Sequence, residues 1–437
     1  MAANLIHSDM KLSIGILVSN RIETIRKCMD SLVSLLKTIP SELIALDTVG
    51  ENTDGSIEIV KEYTDKVYRY EWCKDFADAR NTCLQYASGE WFLFLDDDEW
   101  FDNVEDLISF FQTTECELYQ FGTFLIRNYT VKGTYSTTVT TRLIRRREDT
   151  RFEGKIHEMF HEIMPPGKQF ESFLHHSGYA FADDESKRVH QERNIAILEQ
   201  ELKEKELSPR LCAQMVQELM FRNETAQKGY EYCMNCLPEL EKQGWIMDSC
   251  TQWMLVATVR YFHKLHGYEA TMQQAKVIKT NYTLSETAEL ALCGILVNAA
   301  VKAYDVAIIP ELVETYLKNL KWLQRNPEAA RAQNQLNFPK YQEIKYVIQM
   351  LQAGATAANG LKQYEKAYEF WCHLPWKTDG FDGSKYQQAL LETLRGLADK
   401  EPLLKYYQHF YKEECFLPEN WSCLPEECRE ALRVSER

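Results

Sequence analysis

The chain has 437 residues, 45% hydrophobic and 26% charged, the composition of a folded globular protein of two or three domains, which excludes collagen-like, fibrous and disordered classes. Fifty Lys and Arg against sixty-five Asp and Glu leave a net charge of −15, so the basic field that nucleic-acid binding requires is missing, although residues 142–147 form a local basic patch. The longest charge-free apolar run, residues 290–301, is interrupted by Asn298 and is shorter than the roughly 20 residues a membrane helix needs.

The N-terminus lacks the basic start of a signal peptide. Thirteen cysteines, scattered from Cys28 to Cys428, read as reduced thiols, and the chain is expected in the cytoplasm. Cys233 and Cys236 form a CxxC with no second pair close by, which points to buried thiols on a helix rather than to zinc.

LSIGILVSN (12–20) is a continuous apolar run ending at Asn20 and predicts a buried parallel strand. Residues 22–36 carry apolar side chains at helical spacing. ELIALDTV (42–49) predicts a second strand with Asp47 near its end, followed by the turn-forming GENTDGS and a short helix. KVYRYEW (66–72) gives a third strand, FADARNTCLQYA (76–87) a helix, and EWFLFLDDDEW (90–100) a fourth strand running into acids. This order predicts an α/β unit with an open parallel sheet, helices on both faces, and a ligand at the carboxyl ends of the strands. Asn20, Asp47 and Asp96 to Asp98 fall there.

From about Ser186 the strand signals stop, dividing the chain into 1–186 and an all-α region, 187–437. Helical patterns cover 211–220, 253–265, 290–304, 312–323 and 341–351. ATAANGLKQYEKAYEFW (355–371) sets Gly360, Tyr364 and Ala367 at the spacing of a tetratricopeptide hairpin, and GYEYCMNCLPEL and HGYEATMQQAKVI look like degenerate copies. A helical-hairpin array is expected. Trp371, Trp376 and Trp421 suit either its core or an interface.

Carboxylates crowded at the end of a buried strand repel one another and resist desolvation. A divalent cation resolves that conflict, and oxygen ligands suit Mg²⁺ or Mn²⁺. Strand alternation puts Asp96 and Asp98 on one side, as the pair to hold it. Asp47 and Asp54 lie on the same rim, and DFADARN adds Asp75, Arg80 and Asn81; an arginine there can grip phosphate with two parallel bonds. Together they describe a pocket for a nucleotide diphosphate. His157 to His161 match HExxH, which on a helix binds zinc with glutamate as base. Gly154, Pro165 and Pro166 around it argue against such a helix.

Four segments in order, LVSNRIETIRKCMDSL, LDTVGENTDGSIEI, DFADARNTCLQYASGEWFLFLDDDEW and RLIRRREDTRFEGKIHE, resemble the family 2 glycosyltransferases over about residues 11–185. These are inverting enzymes that use nucleotide sugars. The resemblance implies a GT-A-like catalytic domain whose DxD motif falls on Asp96 and Asp98, with Asp98 at the metal. It implies Asp47 at the uracil of a UDP-sugar, with Asn20, Asp54, Arg80 and Asp97 also on the donor. Glu158 becomes the general base. His157 either orients it or touches metal or phosphate, and His176 is a metal or phosphate contact or a structural histidine. Two departures stand out: Asn20-Arg21 replaces the family's Asn-Glu, and the step from Asp47 to Asp54 is longer than usual. The layout resembles glycosyltransferases that modify peptides and proteins, including the S-glycosyltransferases of glycosylated bacteriocins. The helical region would then dock a polypeptide acceptor or form a homodimer. Envelope or lipopolysaccharide glycan synthesis, and a non-catalytic scaffold, are the other readings, and the intact acid cluster speaks against the scaffold.

Overall fold

The computed structural model describes residues 4–50, 54–178, 183–333, 338–376 and 382–435. Residues 51–53 of the expected turn lie outside them. The chain divides into two compact units, Met1–Glu206 and Leu207–Arg437.

In the first unit β1 (Leu12–Val18), β2 (Ser41–Asp47), β3 (Val67–Arg69) and β4 (Trp91–Asp96) pair in parallel, in the spatial order β3-β2-β1-β4. They are joined through α1 (Ile22–Thr38), α2 (Ser56–Val60) and α3 (Phe76–Gln85). All seven residues of β1 are buried, because helices cover both faces of the sheet. Ile25, Met29 and Leu32 of α1 pack on Ile14 and Ile16, and Ala79 and Cys83 of α3 join Leu17, Ile44 and Phe92 on the other face. Gly15 permits that second layer: a Cβ there would stand 2.5 Å from the Phe92 ring and 2.8 Å from the Cys83 sulfur.

Beyond β4 the sheet departs from the expected all-parallel arrangement. It continues through β5 (Glu99–Phe101), β6 (Phe121–Tyr129), β7 (Tyr135–Arg145) and β10 (Gly167–His176), in the order β4-β7-β6-β10-β5, and is mixed, with β7 antiparallel to β4 and β6. The separate hairpin of β8 (Phe152–Glu153) and β9 (Met159–Phe160) lies between β7 and β10 in sequence. The outer half of β7 reads YSTTVTT and is exposed over its first five residues, so no apolar run announces it. The helix α4 (Glu105–Gln112) packs Leu107 and Phe110 into the core.

The helix α5 (Asp184–Glu204) starts at Asp183, whose side chain accepts from Ser186 N at 2.7 Å. It belongs to the first unit, where Lys155 N donates to Glu201 Oε2 at 3.1 Å. The compact units thus meet about twenty residues after the 186/187 junction read from the loss of strand signals. A helix ends the first unit, and sequence pattern alone assigns helices to the helical region.

The second unit contains no strand among its described residues. Helices Ile344–Gly360 and Tyr364–Cys372 form the hairpin expected at 355–371, with Ala355, Ala358 and Ala367 buried and Lys362 in the left-handed conformation at its turn. Trp371 is 1% exposed and donates from Nε1 to Thr393 Oγ1 at 2.9 Å, which makes it core; Trp376 Nε1 donates to Trp371 O at 2.6 Å. Cys233 and Cys236 are buried on the helix Ala226–Lys242, and all thirteen cysteines are free thiols. Among the described residues no helix is long and apolar enough to cross a membrane.

Candidate active site

The parallel strands deliver their carboxyl ends to one rim, and there β4 stops at Asp96. Asp97 and Asp98 form a turn into β5, so strand alternation ends at Asp96 and the two outer acids of the motif reach different partners. Arg80 Nη2 donates to Asp96 Oδ1 at 2.6 Å and Arg80 Nε donates to Glu158 Oε1 at 2.5 Å. Arg142 Nη2 lies 2.5 Å from Glu99 Oε1 and 3.5 Å from Asp96 Oδ2. The result is an alternating row, Glu158, Arg80, Asp96, Arg142, Glu99. Both guanidiniums are buried and lie over the Phe94 ring, 4.4 and 4.5 Å from its centroid.

Asp97 accepts from Ser19 N at 2.6 Å and Ser19 Oγ at 2.7 Å, which ties the turn to the end of β1. Asp98 sits between Arg21 Nη2, 3.6 Å from Oδ2, and His176 Nε2, 3.5 Å from Oδ1. His176 Nδ1 is 2.7 Å from Asn128 Oδ1. That contact orients the ring with Nε2 facing Asp98. Burial and the neighbouring Asp98 push the Asp97 carboxyl up to about 7. Burial also raises Asp98 and Glu99, against the pull of His176 and Arg142 respectively. Burial opposes ionisation of Asp96 too, but Arg80 and Arg142 overcome it and hold that group below the usual carboxylate range.

These groups line a cavity of about 820 Å³. Arg80, Asp96 and Glu158 line it, and α5 contributes His190, Arg193 and Asn194. His157 and Glu158 occupy the loop between β8 and β9, with His157 at φ 53°. Three contacts from the α3 segment secure that loop besides the Arg80 bond: Phe76 N donates to Lys155 O at 2.8 Å, and Asn81 exchanges two bonds with the Phe152 backbone. HExxH is therefore not helical here, and His161 pairs with Glu153 at 2.9 Å instead of joining His157.

Five carboxylates, Asp96 to Asp98, Glu99 and Glu158, line the cavity with four arginines, of which Arg21, Arg80 and Arg142 pair with the acids. A divalent cation fits the crowding of carboxylates on the turn from Asp96 to Glu99. Among the described residues no three His, Cys, Asp or Glu cluster as a complete metal cage. Asp98 and His176 Nε2, 3.5 Å apart, instead offer a partial donor set, which suits an ion that takes its remaining ligands from water and substrate phosphates. Gly178 leaves the space open: a Cβ there would stand 2.5 Å from His176 Nε2 and 2.7 Å from Asp98 Oδ2.

Residues 13–165 match the family model described as Glycosyl transferase family 2. The first unit carries a family 2 glycosyltransferase domain. The chain is 29% identical over 205 residues to the SPbeta prophage-derived glycosyltransferase SunS of Bacillus subtilis (strain 168), a match covering 44% of this chain and 45% of that protein. It is 30% identical over 152 residues to a TPR repeat-containing protein of Synechococcus elongatus, covering 34% and 35%. The chain thus spans less than half the length of the curated relatives it matches. The crystal structure of S. aureus TarS 1-349 in complex with UDP aligns over 62% of this chain and 90% of its own, at 16% identity and a TM-score of 0.33.

Within the glycosyltransferase domain the cavity gathers Arg80, Asp96, Asp97, Asp98, His157, Glu158 and His176 of the expected residues. Asn20 is exposed, and the cavity is lined by its neighbours Ser19 and Arg21. Asp47 accepts from Val49 N at 3.1 Å and Gly50 N at 3.3 Å, and Thr48 and Val49 rather than Asp47 reach the lining. Asp54 accepts from Ile22 N at 3.0 Å, at the start of α1, and from Ser56 N at 2.9 Å. Asp75 caps α3 through Asp78 N. The basic patch disperses: Arg142 enters the site, Arg146 donates to Gly89 O, and Arg147 pairs with Asp149 and Glu162. Sequence reasoning missed Ser19, Arg142 and the α5 trio as site residues. Arg142 had a signal, an arginine at an inward position of a strand.

Proposed function

We propose that the chain transfers a sugar from a UDP-sugar to a peptide or protein side chain, with inversion at the anomeric carbon, and that it uses Mg²⁺ or Mn²⁺. The observation that carries this reading is a family 2 glycosyltransferase domain whose cavity sets Glu158 and the Asp98–His176 pair in one space.

Asp98 and His176 would hold the cation, and the crowding of carboxylates from Asp96 to Glu99 is the reason this site suits it. When bound, the ion supplies positive charge to the leaving diphosphate. Glu158, fixed through Oε1 by Arg80, takes the proton of the acceptor nucleophile as that nucleophile attacks the anomeric carbon. The bond between that carbon and the diphosphate oxygen breaks from the opposite face, which inverts the centre. Arg80 and Arg142 hold Asp96 ionised in the cavity wall, and Phe94 beneath them keeps water from the pairs. Asp47, at the end of β2, supports recognition of the uracil side. The helical unit supports a polypeptide acceptor or self-association, and thirteen free thiols support a cytoplasmic site of action.

The test is UDP-sugar turnover with and without Mn²⁺, with mass spectrometry of candidate acceptor peptides. Metal-dependent mass addition to a peptide is expected. Absence of both hydrolysis and transfer over a panel of UDP-sugars returns the chain to the scaffold reading.

A further inference from the structure

Of the four arginines that line the cavity, Arg21, Arg80 and Arg142 pair with its acids, and they are held differently. Arg80 bridges Asp96 and Glu158, Arg142 bridges Asp96 and Glu99, and both are buried. Arg21 has one acid partner at the site, Asp98 at 3.6 Å, and its side chain is 50% exposed. Its backbone is pinned: Arg21 N donates to Ser19 O and to Ser56 Oγ, both at 3.1 Å. A fixed backbone with a half-exposed, singly paired guanidinium can exchange partners without disturbing the fold.

The exchange has a reason. Asp98 is the carboxylate that, with His176, would hold the divalent ion of the proposed reaction, and this inference rests on that reading. A cation arriving there meets the Arg21 charge a few Å away, where like charges repel strongly in a partly buried site. The repulsion is relieved when Arg21 moves to an anion, and the donor's diphosphate is the anion this cavity would receive. Guanidinium geometry matches phosphate oxygens in pairs.

We propose that Arg21 is an exchangeable counter-ion, paired with Asp98 in the empty site and with the donor diphosphate in the loaded one, so that metal and nucleotide bind cooperatively. In the absence of nucleotide Arg21 competes with the ion for Asp98. In its presence Arg21 adds to the grip on the donor. The coupling is reciprocal, as binding linkage requires.

The experiment measures Mn²⁺ binding by electron paramagnetic resonance and UDP binding by calorimetry, on the full chain and on Arg21→Ala and Arg21→Gln. Removing the competing charge is expected to tighten Mn²⁺ binding without nucleotide by about tenfold, while UDP binding at saturating Mn²⁺ weakens by about tenfold. With UDP binding in the absence of metal unchanged, the wild-type preference for binding the two together should shrink about tenfold. Unchanged or weaker Mn²⁺ binding in both variants, with melting temperatures like the wild type, overturns the role of Arg21 alone. A wild-type chain that binds neither Mn²⁺ nor UDP overturns the proposed function and this role with it.

Discussion

Glu158 is bound to Arg80 through Nε at 2.5 Å, and Nη2 of the same guanidinium holds Asp96 at 2.6 Å. One buried fork therefore fixes two carboxylates that would otherwise repel. Lysine cannot reproduce this, because an ammonium lacks the planar pair of donor edges. Arg80→Ala leaves both acids without their shared partner, and breaking a buried ionic group in this way costs about 3–5 kcal/mol. Urea unfolding should show that loss. A variant within about 0.5 kcal/mol of wild type would mean that the two acids find other partners.

Glu158→Gln keeps the shape of the side chain and an oxygen for Arg80, and removes the basicity. If Glu158 accepts the acceptor's proton, the chemical step should fall by about two to four orders of magnitude, with UDP affinity unchanged. Single-turnover kinetics separates the two. Full-rate transfer by the Gln variant would assign proton removal elsewhere in the cavity.

Asp47 is placed at the end of β2, and its Oδ1 accepts two backbone N–H bonds from its own loop. Asp47→Asn preserves an acceptor for those bonds and removes the charge. Calorimetry with UDP, GDP and dTDP should show preference for UDP in the wild type and about a tenfold loss of UDP affinity in the variant. Tighter binding of GDP than of UDP would refute the uridine assignment.

The parallel half of the sheet was legible because β1, β2 and β4 are buried on both faces and read as continuous apolar runs. The antiparallel half was not, since β7 begins YSTTVTT and its pattern is set by pairing with β6 rather than by burial. At the site, the acids were legible by their crowding after an apolar strand. Their partners were not: Arg142 arrives from β7 and the α5 trio from beyond residue 183, and sequence spacing carries no distance between them. Alternation placed Asp96 and Asp98 together, but it fails where the strand stops at Asp96 and a turn begins.

Glu42 at the start of β2 offers a pH test of the fold away from the cavity. It is buried and accepts from Ser13 Oγ at 2.5 Å, from Ser88 N at 2.6 Å and from Ser88 Oγ at 2.7 Å, and it pairs with Lys66. Burial pushes its carboxyl up, but Lys66 and these donors outweigh burial and lower it from 4.5 to about 2. A group depressed on folding stabilises fully above its unfolded value and loses that contribution as pH falls through the folded one. The contribution is on the order of 3 kcal/mol at neutral pH and should fade between pH 4.5 and about 2. Glu42→Gln should be less stable than wild type at pH 7, with the gap closing toward pH 2. A gap that persists undiminished at pH 2 would place the cost in packing rather than charge.

Shortened chains separate the role of α5 from that of the helical unit. The helix belongs to the compact unit that ends at Glu206, supplies His190, Arg193 and Asn194 to the cavity, and meets Lys155 through Glu201. A chain ending at Glu206 should therefore keep its fold by circular dichroism, bind UDP like the full chain, and hydrolyse the donor slowly. It should fail to modify a polypeptide acceptor if the second unit docks it. A chain ending at Ser186 removes most of α5 and with it part of the cavity wall, so UDP affinity should drop by about tenfold or more even where the sheet still folds. Equal UDP binding by the two shortened chains would show that α5 covers the cavity without contributing to donor binding. Acceptor transfer at the full rate by the chain ending at Glu206 would remove the helical unit from the mechanism and leave it to self-association, which sedimentation of the full-length protein would then have to show.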